Sequence, residues 1–237
     1  MLTAVLFDVD GTLADTERDG HRPAFNRAFA EHGLADRWDV EDYGRLLSVT
    51  GGQRRIERFL AERGHPDPAG LARALHRAKT EHFVEWVRSG PVRCRPGVDV
   101  LLADLRAAGL RLGVVTTGRR AWVAPLLDRL FGPAAFETVV TGDDVERLKP
   151  APDAYLLALR RLGLDAAAAV AVEDSPPGLA AARAAGLPGV VVTNGYTAGA
   201  GFPGAAAVLE SFDGLDAAGL RRAAHAPATR ARPDMRG

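Results

Sequence analysis

The sequence is short of the features that mark secreted and membrane proteins. Its one cysteine, Cys94, has no second cysteine with which to form an internal disulfide. No run of apolar residues is long enough to span a bilayer. Residues 1–4 carry no basic segment and lead directly into a predicted strand, so we expect no signal peptide. These absences predict a cytoplasmic protein.

A net charge of either sign is also missing, because 30 basic residues balance 30 acidic ones. Without an overall field the chain is not expected to bind nucleic acid or a membrane, and any attraction for an anion must be local. The 237 residues can bury a sizeable core, either as one large α/β domain or as a core with a small insert. We expect a monomer that acts on a small molecule.

The most informative stretch is residues 4–12, with the sequence AVLFDVDGT. Its apolar run predicts a strand that carries Asp8 to its carboxyl end, where open α/β folds place reactive groups, so Asp8 is the candidate nucleophile. Residues two apart in a strand point the same way, which lets Asp10 handle the proton before Gly11 turns the chain. A calcium loop is the competing interpretation, but it has glycine at its sixth position, whereas Gly11 is the fourth residue counted from Asp8.

Strand and helix patterns alternate after Gly97. Strands are predicted at 110–116, 137–141, 170–172 and 189–193, with a possible last strand at 207–209. Helices are predicted from residue 98 to Gly109 and at 123–130, 153–162 and 178–185. This alternation predicts an α/β fold with a doubly wound parallel sheet and helices on both faces.

From residue 13 to about residue 91, strand-like runs vanish and helical spacing takes over. Asp15 and Thr16 are expected to cap the first helix of this block, and Pro91 with the turn at 95–97 to return the chain to the sheet. We therefore predict an α-helical domain at residues 15–91, inserted in a core of residues 1–14 and 92–224. Residues 225–237 lack periodicity and are expected to form a frayed tail.

Polar residues stand where the predicted strands end. The first strand gives Asp8 and Asp10, the second Thr116 and Thr117, the third leads toward Lys149, and the fourth gives Glu173 and Asp174. Strand ends gather at one edge of a doubly wound sheet, so these groups are expected to share one crevice. Oxygens of Asp8, Asp174 and the Asp10 carbonyl, with Glu173 in support, suit Mg²⁺.

The same crevice is suited to phosphoryl transfer, because Thr116 can hydrogen-bond a phosphoryl oxygen and Lys149 can offset its charge. Each residue also has a structural interpretation. Thr116 can tie off the backbone, Lys149 can be a solvated lysine before a proline turn, and residues 173–176 can cap the next helix. The order of these residues at successive strand ends favours the catalytic interpretation.

With these residues in place, the chain resembles the haloacid dehalogenase superfamily of aspartate-nucleophile phosphatases. Residues 8–12 resemble the first motif of that family, Thr116 the second, Lys149 the third and residues 173–174 the fourth, and the helical insert resembles its C1 cap. The resemblance implies a Rossmann-like core, a Mg²⁺ cofactor, an aspartyl-phosphate at Asp8, acid–base work by Asp10, and a cap that selects the substrate.

Four cap segments narrow the resemblance to CbbY-type phosphatases, which remove xylulose 1,5-bisphosphate, an inhibitor of Rubisco. They are residues 14–17, 21–26, 50–56 and 76–81. The resemblance implies that Glu17 reads sugar hydroxyls. It also implies substrate contacts from the cap, at Thr50, Gly51, Gly52, Arg54, Arg55, His76 and Lys79.

The chain departs from the family pattern after the second motif. More hydroxyl or amide residues are usual there, whereas this chain continues as Thr117, Gly118 and Arg119. A hydroxyl contact to the substrate is therefore missing at Gly118. Arg119 is expected either to bind a distal phosphate or to cover the surface.

The sequence thus predicts a magnesium-dependent phosphatase of a sugar bisphosphate, with xylulose 1,5-bisphosphate as the first choice. The cations of the cap, Arg54, Arg55 and Lys79, favour a substrate with a second phosphate. A β-phosphoglucomutase-like enzyme and a phosphoglycolate phosphatase are the alternatives within the family. The alternative that is not an enzyme is a non-catalytic protein that binds phosphosugars, since a fold does not guarantee a function.

Overall fold

The computed structural model describes residues 1–225 and contains a six-stranded, fully parallel sheet with the strand order β3-β2-β1-β4-β5-β6. The strands are β1 (Ala4–Phe7), β2 (Arg111–Val115), β3 (Thr138–Val140), β4 (Ala169–Glu173), β5 (Gly189–Val192) and β6 (Ala207–Leu209). Every predicted strand is present, and the predicted fold class is confirmed.

The helices are α1 (Arg22–Glu31), α2 (Val40–Leu46), α3 (Gly52–Glu62), α4 (Pro68–Ser89), α5 (Val98–Ala107), α6 (Arg120–Phe131), α7 (Asp153–Leu162), α8 (Pro176–Ala184) and α9 (Ala217–His225). The four helices predicted after Gly97 correspond to α5, α6, α7 and α8. The tail predicted at 225–237 begins at the last residue of α9, and residues 226–237 lie outside the described part of the chain.

Strand β1 lies inside the sheet and is buried on both faces, which explains why its sequence is a continuous apolar run. Val5 and Phe7 face a layer that includes residues of α5, α6 and α9, and Ala4 and Leu6 face the layer of α7 and α8. Because β1 pairs with both β2 and β4, the residue that follows it lies between the carboxyl ends of its two neighbours. Asp8 is that residue.

The segment between β1 and α5 is helical, as its spacing predicted, and it has a core of its own. This cap cluster is rich in buried aromatic and apolar side chains, including Phe25, Phe29, Trp38, Tyr43 and Ile56. Helix α2 was not foreseen, because it is short and Tyr43 is its one fully buried residue. The limits of the cap at residues 15 and 91 remain a prediction.

The start of the cap differs from the prediction. The chain forms a five-residue π-helical turn, Glu17–His21, before α1, and Thr16 makes no side-chain capping bond to it. The hydroxyl of Thr16 donates instead to Asp10. The predicted cap at Asp15 and Thr16 is therefore wrong, because a tertiary partner takes the hydroxyl.

Helix α4 belongs to two cores. Ala72 and Leu75 in its first half pack in the cap cluster, whereas Phe83 and Val87 in its second half pack in the core cluster that contains Trp122 of α6. The ring of Phe83 meets that of Trp122 edge-on at 5.0 Å between centroids. One continuous helix therefore connects the cap to the sheet domain.

The two ends of the insert run side by side, because Ala14 and Cys94 form an antiparallel β-bridge. The next residue, Arg95, is buried, and its guanidinium donates to Gly11 O and Thr193 O, each at 2.6 Å. The return segment is thus fixed both to the loop after β1 and to the end of β5. No helix within residues 1–225 has the length and apolar character needed to cross a membrane.

Candidate active site

The side chain of Asp8 leaves the sheet where β1 ends. Its backbone N–H still donates to Val172 O at 3.0 Å, so the residue continues the ladder with β4. The carboxylate is buried, and Lys149 Nζ donates to its Oδ1 at 2.7 Å. The sheet therefore presents one carboxylate with a cation fixed beside it.

Lys149 comes from the loop after β3 and uses all three of its protons. Besides Asp8, its Nζ donates to Glu173 Oε1 at 2.6 Å and to Val115 O at 2.8 Å. Burial lowers the pKa of Lys149, but the charges of Asp8 and Glu173 outweigh it and hold the pKa above its ordinary value. The interpretation of Lys149 as a solvated lysine is wrong, since the residue is 4% exposed.

Three buried carboxylates meet beside this lysine, and oxygens of Asp8, Glu173 and Asp174 lie within 4.8 Å of one another. Burial raises the pKa of Asp8 well above its ordinary value, against the charge of Lys149, and burial with the Glu173 charge raises the pKa of Asp174 to about 8. Glu173 Oε1 accepts from Tyr155 at 2.5 Å, whereas the buried Oε2 has no hydrogen-bond partner among the described residues. Desolvated, mutually repelling oxygens of this kind fit a hard divalent cation.

Asp174 is oriented from the loop after β5. Asn194 Nδ2 donates to Asp174 Oδ2 at 2.7 Å and lies 3.3 Å from Gly11 O. Gly11 has φ +76°, and a Cβ there would lie 2.4 Å from Asp174 Oδ2. The glycine of the first motif is therefore needed twice, for its backbone conformation and for the approach of the carboxylate.

The side chain of Asp10 faces the cap and not the acidic cluster. Its Oδ1 accepts from Thr16 and contacts His21 Nε2 at 3.0 Å, and His21 Nδ1 lies 2.7 Å from Lys79 Nζ. Because a charged lysine only donates, His21 Nδ1 accepts and the ring proton is assigned to Nε2, which donates to Asp10. The π-helical turn supplies His21 to this chain of hydrogen bonds, the residue before the turn is Thr16, and α4 supplies Lys79.

Burial sets the protonation of this chain. It lowers the pKa of His21 well below its ordinary value, with help from the Lys79 charge, so the imidazole is neutral. It lowers the pKa of Lys79 to about 8. Burial raises the pKa of Asp10, against the Thr16 hydrogen bond and the Lys79 charge, and a raised pKa favours a carboxyl group that gives and takes a proton.

A second network lies on the cap side around Glu17. The hydroxyl of Tyr43 donates to Glu17 Oε2, and Arg55 Nη1 donates to the same hydroxyl at 3.0 Å. Arg55 Nε also donates to Leu46 O at 3.0 Å, and the residue is buried. Arg55 therefore joins α3 to α2 within the cap, in addition to lining the cavity.

A cavity of about 340 Å³ separates cap and core. Its lining includes most of the predicted substrate contacts, namely Glu17, Gly51, Gly52, Arg54, Arg55, His76, Lys79, Thr117, Gly118 and Arg119, together with Asp10. A smaller cavity of about 110 Å³ is lined by Asp8, Thr50, Lys149 and Asp174, and it shares Asp10, Glu17 and Thr117 with the larger one. The structure thus brings the sequence-predicted residues from both domains to one place.

Two predicted residues lie behind this surface. Thr116 lines neither cavity in the described part of the chain, and its hydroxyl accepts from Gly118 N at 3.0 Å. Glu173 is fully buried behind Lys149. Ser175, two positions later, caps α8 by accepting from Gly178 N. The capping interpretation therefore holds for Ser175 but not for Glu173 and Asp174.

The cations around the larger cavity differ in how far they are already engaged. Arg119 pairs with Asp143 at 2.5 Å, and His76 is buried enough that its pKa falls to about 4. Arg54 is exposed and takes part in none of the ion pairs among residues 1–225. Of the predicted contacts, Arg54 is the guanidinium that forms no ion pair with any residue the structure describes, so it can meet an anion.

The packing of Trp122 explains why position 118 is a glycine. A Cβ at Gly118 would lie 2.2 Å from Trp122 Cζ2, so a side chain with a hydroxyl does not fit unless the indole moves. Trp122 packs edge-on to His21 at 5.1 Å between centroids. The departure from the family pattern therefore accompanies a tryptophan that supports the Asp10 network.

Sequence reasoning missed several members of the site. Asn194 follows a predicted strand, so the rule that found the other strand-end residues could have found it. Tyr155, which donates to Glu173, and Tyr43 carry no such signal, because each is a lone aromatic residue on a helix.

Comparison with known proteins agrees with this geometry. A family model described as haloacid dehalogenase-like hydrolase matches residues 2–186. The chain belongs to this family, and it is a phosphatase.

Within the family, the chain is similar to proteins named CbbY. It is 47% identical to Protein CbbY of Cereibacter sphaeroides over 216 residues, covering 90% of this chain and 93% of that one. The crystal structure of CbbY from Rhodobacter sphaeroides in complex with phosphate superposes with a TM-score of 0.85 at 45% identity, covering 93% of this chain and 100% of that one. A mutant of that protein in complex with xylulose-(1,5)bisphosphate gives a TM-score of 0.84 at 44% identity, with 93% and 99% coverage.

Proposed function

We propose that this phosphatase hydrolyses xylulose 1,5-bisphosphate to xylulose 5-phosphate and phosphate, with Mg²⁺ as its metal and Asp8 as its nucleophile. The observation that carries the proposal is the layout of the cavities. A buried carboxylate with a fixed lysine lies on the core side, and Arg54, a guanidinium with no ion pair among residues 1–225, lies on the cap side. The CbbY structure that contains this sugar bisphosphate supports the substrate.

In the first half-reaction, a carboxylate oxygen of Asp8 attacks phosphorus, and the bond between phosphorus and the sugar oxygen breaks. Lys149 stays charged and offsets the negative charge between Asp8 and the phosphoryl group. Asp10, whose pKa is raised by burial, gives its proton to the leaving sugar oxygen. The products are an aspartyl-phosphate and the sugar alcohol.

In the second half-reaction, water attacks the phosphorus of the aspartyl-phosphate, the bond to the Asp8 oxygen breaks, and Asp10 takes the proton of the water. Thr16 and His21 hold Asp10 in both steps. Asp8, Asp174 and the Asp10 carbonyl, with Glu173 in support, would hold Mg²⁺, which supplies positive charge to the phosphoryl oxygens.

The distal phosphate is assigned to Arg54. Arg55 and Lys79, which the sequence offered as equal candidates, already hydrogen-bond Tyr43 and His21. A charge-assisted contact contributes about 1.5 to 3 kcal/mol, which corresponds to a loss of roughly ten- to 150-fold in kcat/KM when it is removed.

The test is a panel of sugar phosphates with and without Mg²⁺, assayed by phosphate release from the parent and from Arg54→Ala. We expect xylulose 1,5-bisphosphate to give the highest kcat/KM, and the substitution to lower that value by ten- to 150-fold while changing a monophosphate little. Arg58→Ala is the matched control, because Arg58 lies one turn further along α3 in an exposed pair with Glu62. An equal loss on both kinds of substrate would remove Arg54 from the distal phosphate site.

The same panel separates the alternatives. Conversion of β-glucose 1-phosphate to the 6-phosphate without release of phosphate identifies a mutase. Preference for phosphoglycolate identifies the third candidate.

A further inference from the structure

A tyrosine of the core packs against the cap cluster on the side of α2. Tyr196, in the loop after β5, is in contact with the cap cluster. Its ring meets that of Tyr43 in a T-shaped arrangement at 6.0 Å between centroids, which is a favourable geometry for an aromatic pair.

Gly44, the next residue of α2, permits this contact. A Cβ at Gly44 would lie 2.9 Å from Cδ1 of Tyr196, and all the atoms it would approach belong to that ring. Glycine inside a helix costs about 1 kcal/mol relative to alanine. The cap therefore keeps an unfavourable residue where the core tyrosine lies.

The backbone of Tyr196 is fixed from the metal side of the site. Its N–H donates to Asn194 Oδ1 at 2.8 Å, and the amide nitrogen of the same side chain donates to Asp174 Oδ2 at 2.7 Å. The partner ring, Tyr43, donates to Glu17. The aromatic contact thus joins the residue that orients Asp174 to the residue predicted to read the sugar.

The ring and not the hydroxyl makes this contact. The buried hydroxyl of Tyr196 has no hydrogen-bond partner within residues 1–225. An interaction through the ring alone predicts that phenylalanine can replace the tyrosine.

We propose that Tyr196 is a positioning residue whose ring, seated on Tyr43 and Gly44, holds the cap closed over the substrate and connects that closure to the loop that orients Asp174. The proposal rests on the proposed phosphatase site. It adds a core residue whose contact with the cap keeps that site closed.

The experiment compares Tyr196→Ala, Tyr196→Phe, Gly44→Ala and the double variant Tyr196→Ala/Gly44→Ala. Each is assayed with the fastest sugar phosphate of the panel and with p-nitrophenyl phosphate, which offers the cap neither sugar hydroxyls nor a second phosphate. Thermal unfolding is measured in parallel. Because the sugar phosphate is chosen by rate, failure of the xylulose 1,5-bisphosphate assignment leaves this test intact.

We expect Tyr196→Ala and Gly44→Ala each to lower kcat/KM for the sugar phosphate by about three- to tenfold, the range of one aromatic contact, and to change p-nitrophenyl phosphate less than twofold. Gly44→Ala should keep or raise the melting temperature, because alanine favours the helix while its Cβ displaces the ring. Tyr196→Phe should retain the closure, and the double variant should be no worse than Tyr196→Ala.

Three results would overturn the proposal. The first is parental activity in Gly44→Ala. The second is a double variant in which the two losses multiply, since residues that act through one contact are not additive. The third is an equal loss on both substrates, which would make Tyr196 a residue of the fold alone.

Discussion

At the scale of single residues, Asp8 and Asp10 differ in their surroundings although they are two positions apart. Asp8 faces Lys149 in the core, whereas Asp10 is held by Thr16 and His21 of the cap. In the proposed mechanism, the same residue type therefore serves as nucleophile in one place and as acid and base in the other. The difference leads to a prediction about leaving groups.

Asp10→Asn should lower kcat for a sugar phosphate by about 10² to 10⁴-fold, because an amide cannot protonate the leaving oxygen. With p-nitrophenyl phosphate, the leaving group needs no proton. The rate at which p-nitrophenolate is released in the first turnover should therefore fall by less than about tenfold. The measurement is rapid-mixing kinetics with both substrates. Asp8→Asn is the control and should lose both activities, and an equal defect of Asp10→Asn on both would show that Asp10 is not the acid.

At the scale of elements, the first turn of α8 is shaped around a carboxylate. A Cβ at Gly178 would lie 1.8 Å from Glu173 Oε2, and Glu173 in turn accepts from Lys149. Gly178→Ala should therefore displace Glu173 and, through Lys149, Asp8. We expect kcat to fall by at least about tenfold, since a displacement of about 1 Å can cost 10²-fold.

Steady-state kinetics and thermal unfolding of Gly178→Ala test this. Gly201→Ala is the control, because a Cβ there meets open space. If Gly178→Ala turns over like the parent, the position of Glu173 does not govern Lys149.

Strands and helices were predicted from the sequence where their apolar residues follow a regular pattern, and they were missed where no such pattern exists. The strands were foreseen because burial on both faces requires apolar runs, as in β1 and β4. Helix α2 was missed because its sequence, VEDYGRL, is mostly polar. The helix is held in place by Tyr43, which packs against residues that are distant in the sequence. The π-helical turn was missed for a related reason, since its preceding residue, Thr16, takes its partner from the loop after β1.

At the scale of the whole molecule, we expect the acidic cluster to make stability depend on a divalent cation and on pH. Without a cation, burial keeps the pKa of Asp174 at about 8, above its ordinary value of 3.8. Between these values the folded state binds a proton that the unfolded chain has lost, so stability falls as pH rises. In EDTA the free energy of unfolding should therefore decrease from about pH 6.5 to pH 8, because below this range the lowered pKa values of His21 and His76 act in the opposite direction.

Urea unfolding at several pH values, in EDTA and in Mg²⁺, measures this dependence. Mg²⁺ should raise the stability and reduce the slope, because a bound cation favours the ionised carboxylates. Asp174→Asn should reduce the slope in EDTA. A free energy independent of pH in EDTA would contradict the raised pKa.

The site as a whole was predictable where it follows from strand order and not where it follows from domain packing. Asp8, Lys149 and Asp174 come together because the strands that they follow, β1, β3 and β4, end at the same edge of the sheet in the order β3-β2-β1-β4. By contrast, the partner of Asp10 depends on how the cap is seated on the core, and no local pattern specifies His21. The pairs Arg55–Tyr43 within the cap and Arg119–Asp143 within the core depend on packing inside each domain, which no local pattern specifies either.

Helix α4 is anchored in the core at Phe83 and Val87 and reaches the cap cluster at Ala72 and Leu75. With a rise of about 1.5 Å per residue, Lys79 lies about 6 Å from Phe83 along the axis, and Pro68 about 22 Å. If the helix tilts by about 10° about Phe83, Lys79 moves about 1 Å and Pro68 about 4 Å. The helix is then a lever with its fulcrum in the core. Its short arm moves Lys79 little relative to the Asp10 network, while its long arm moves the outer edge of the cap about four times as far.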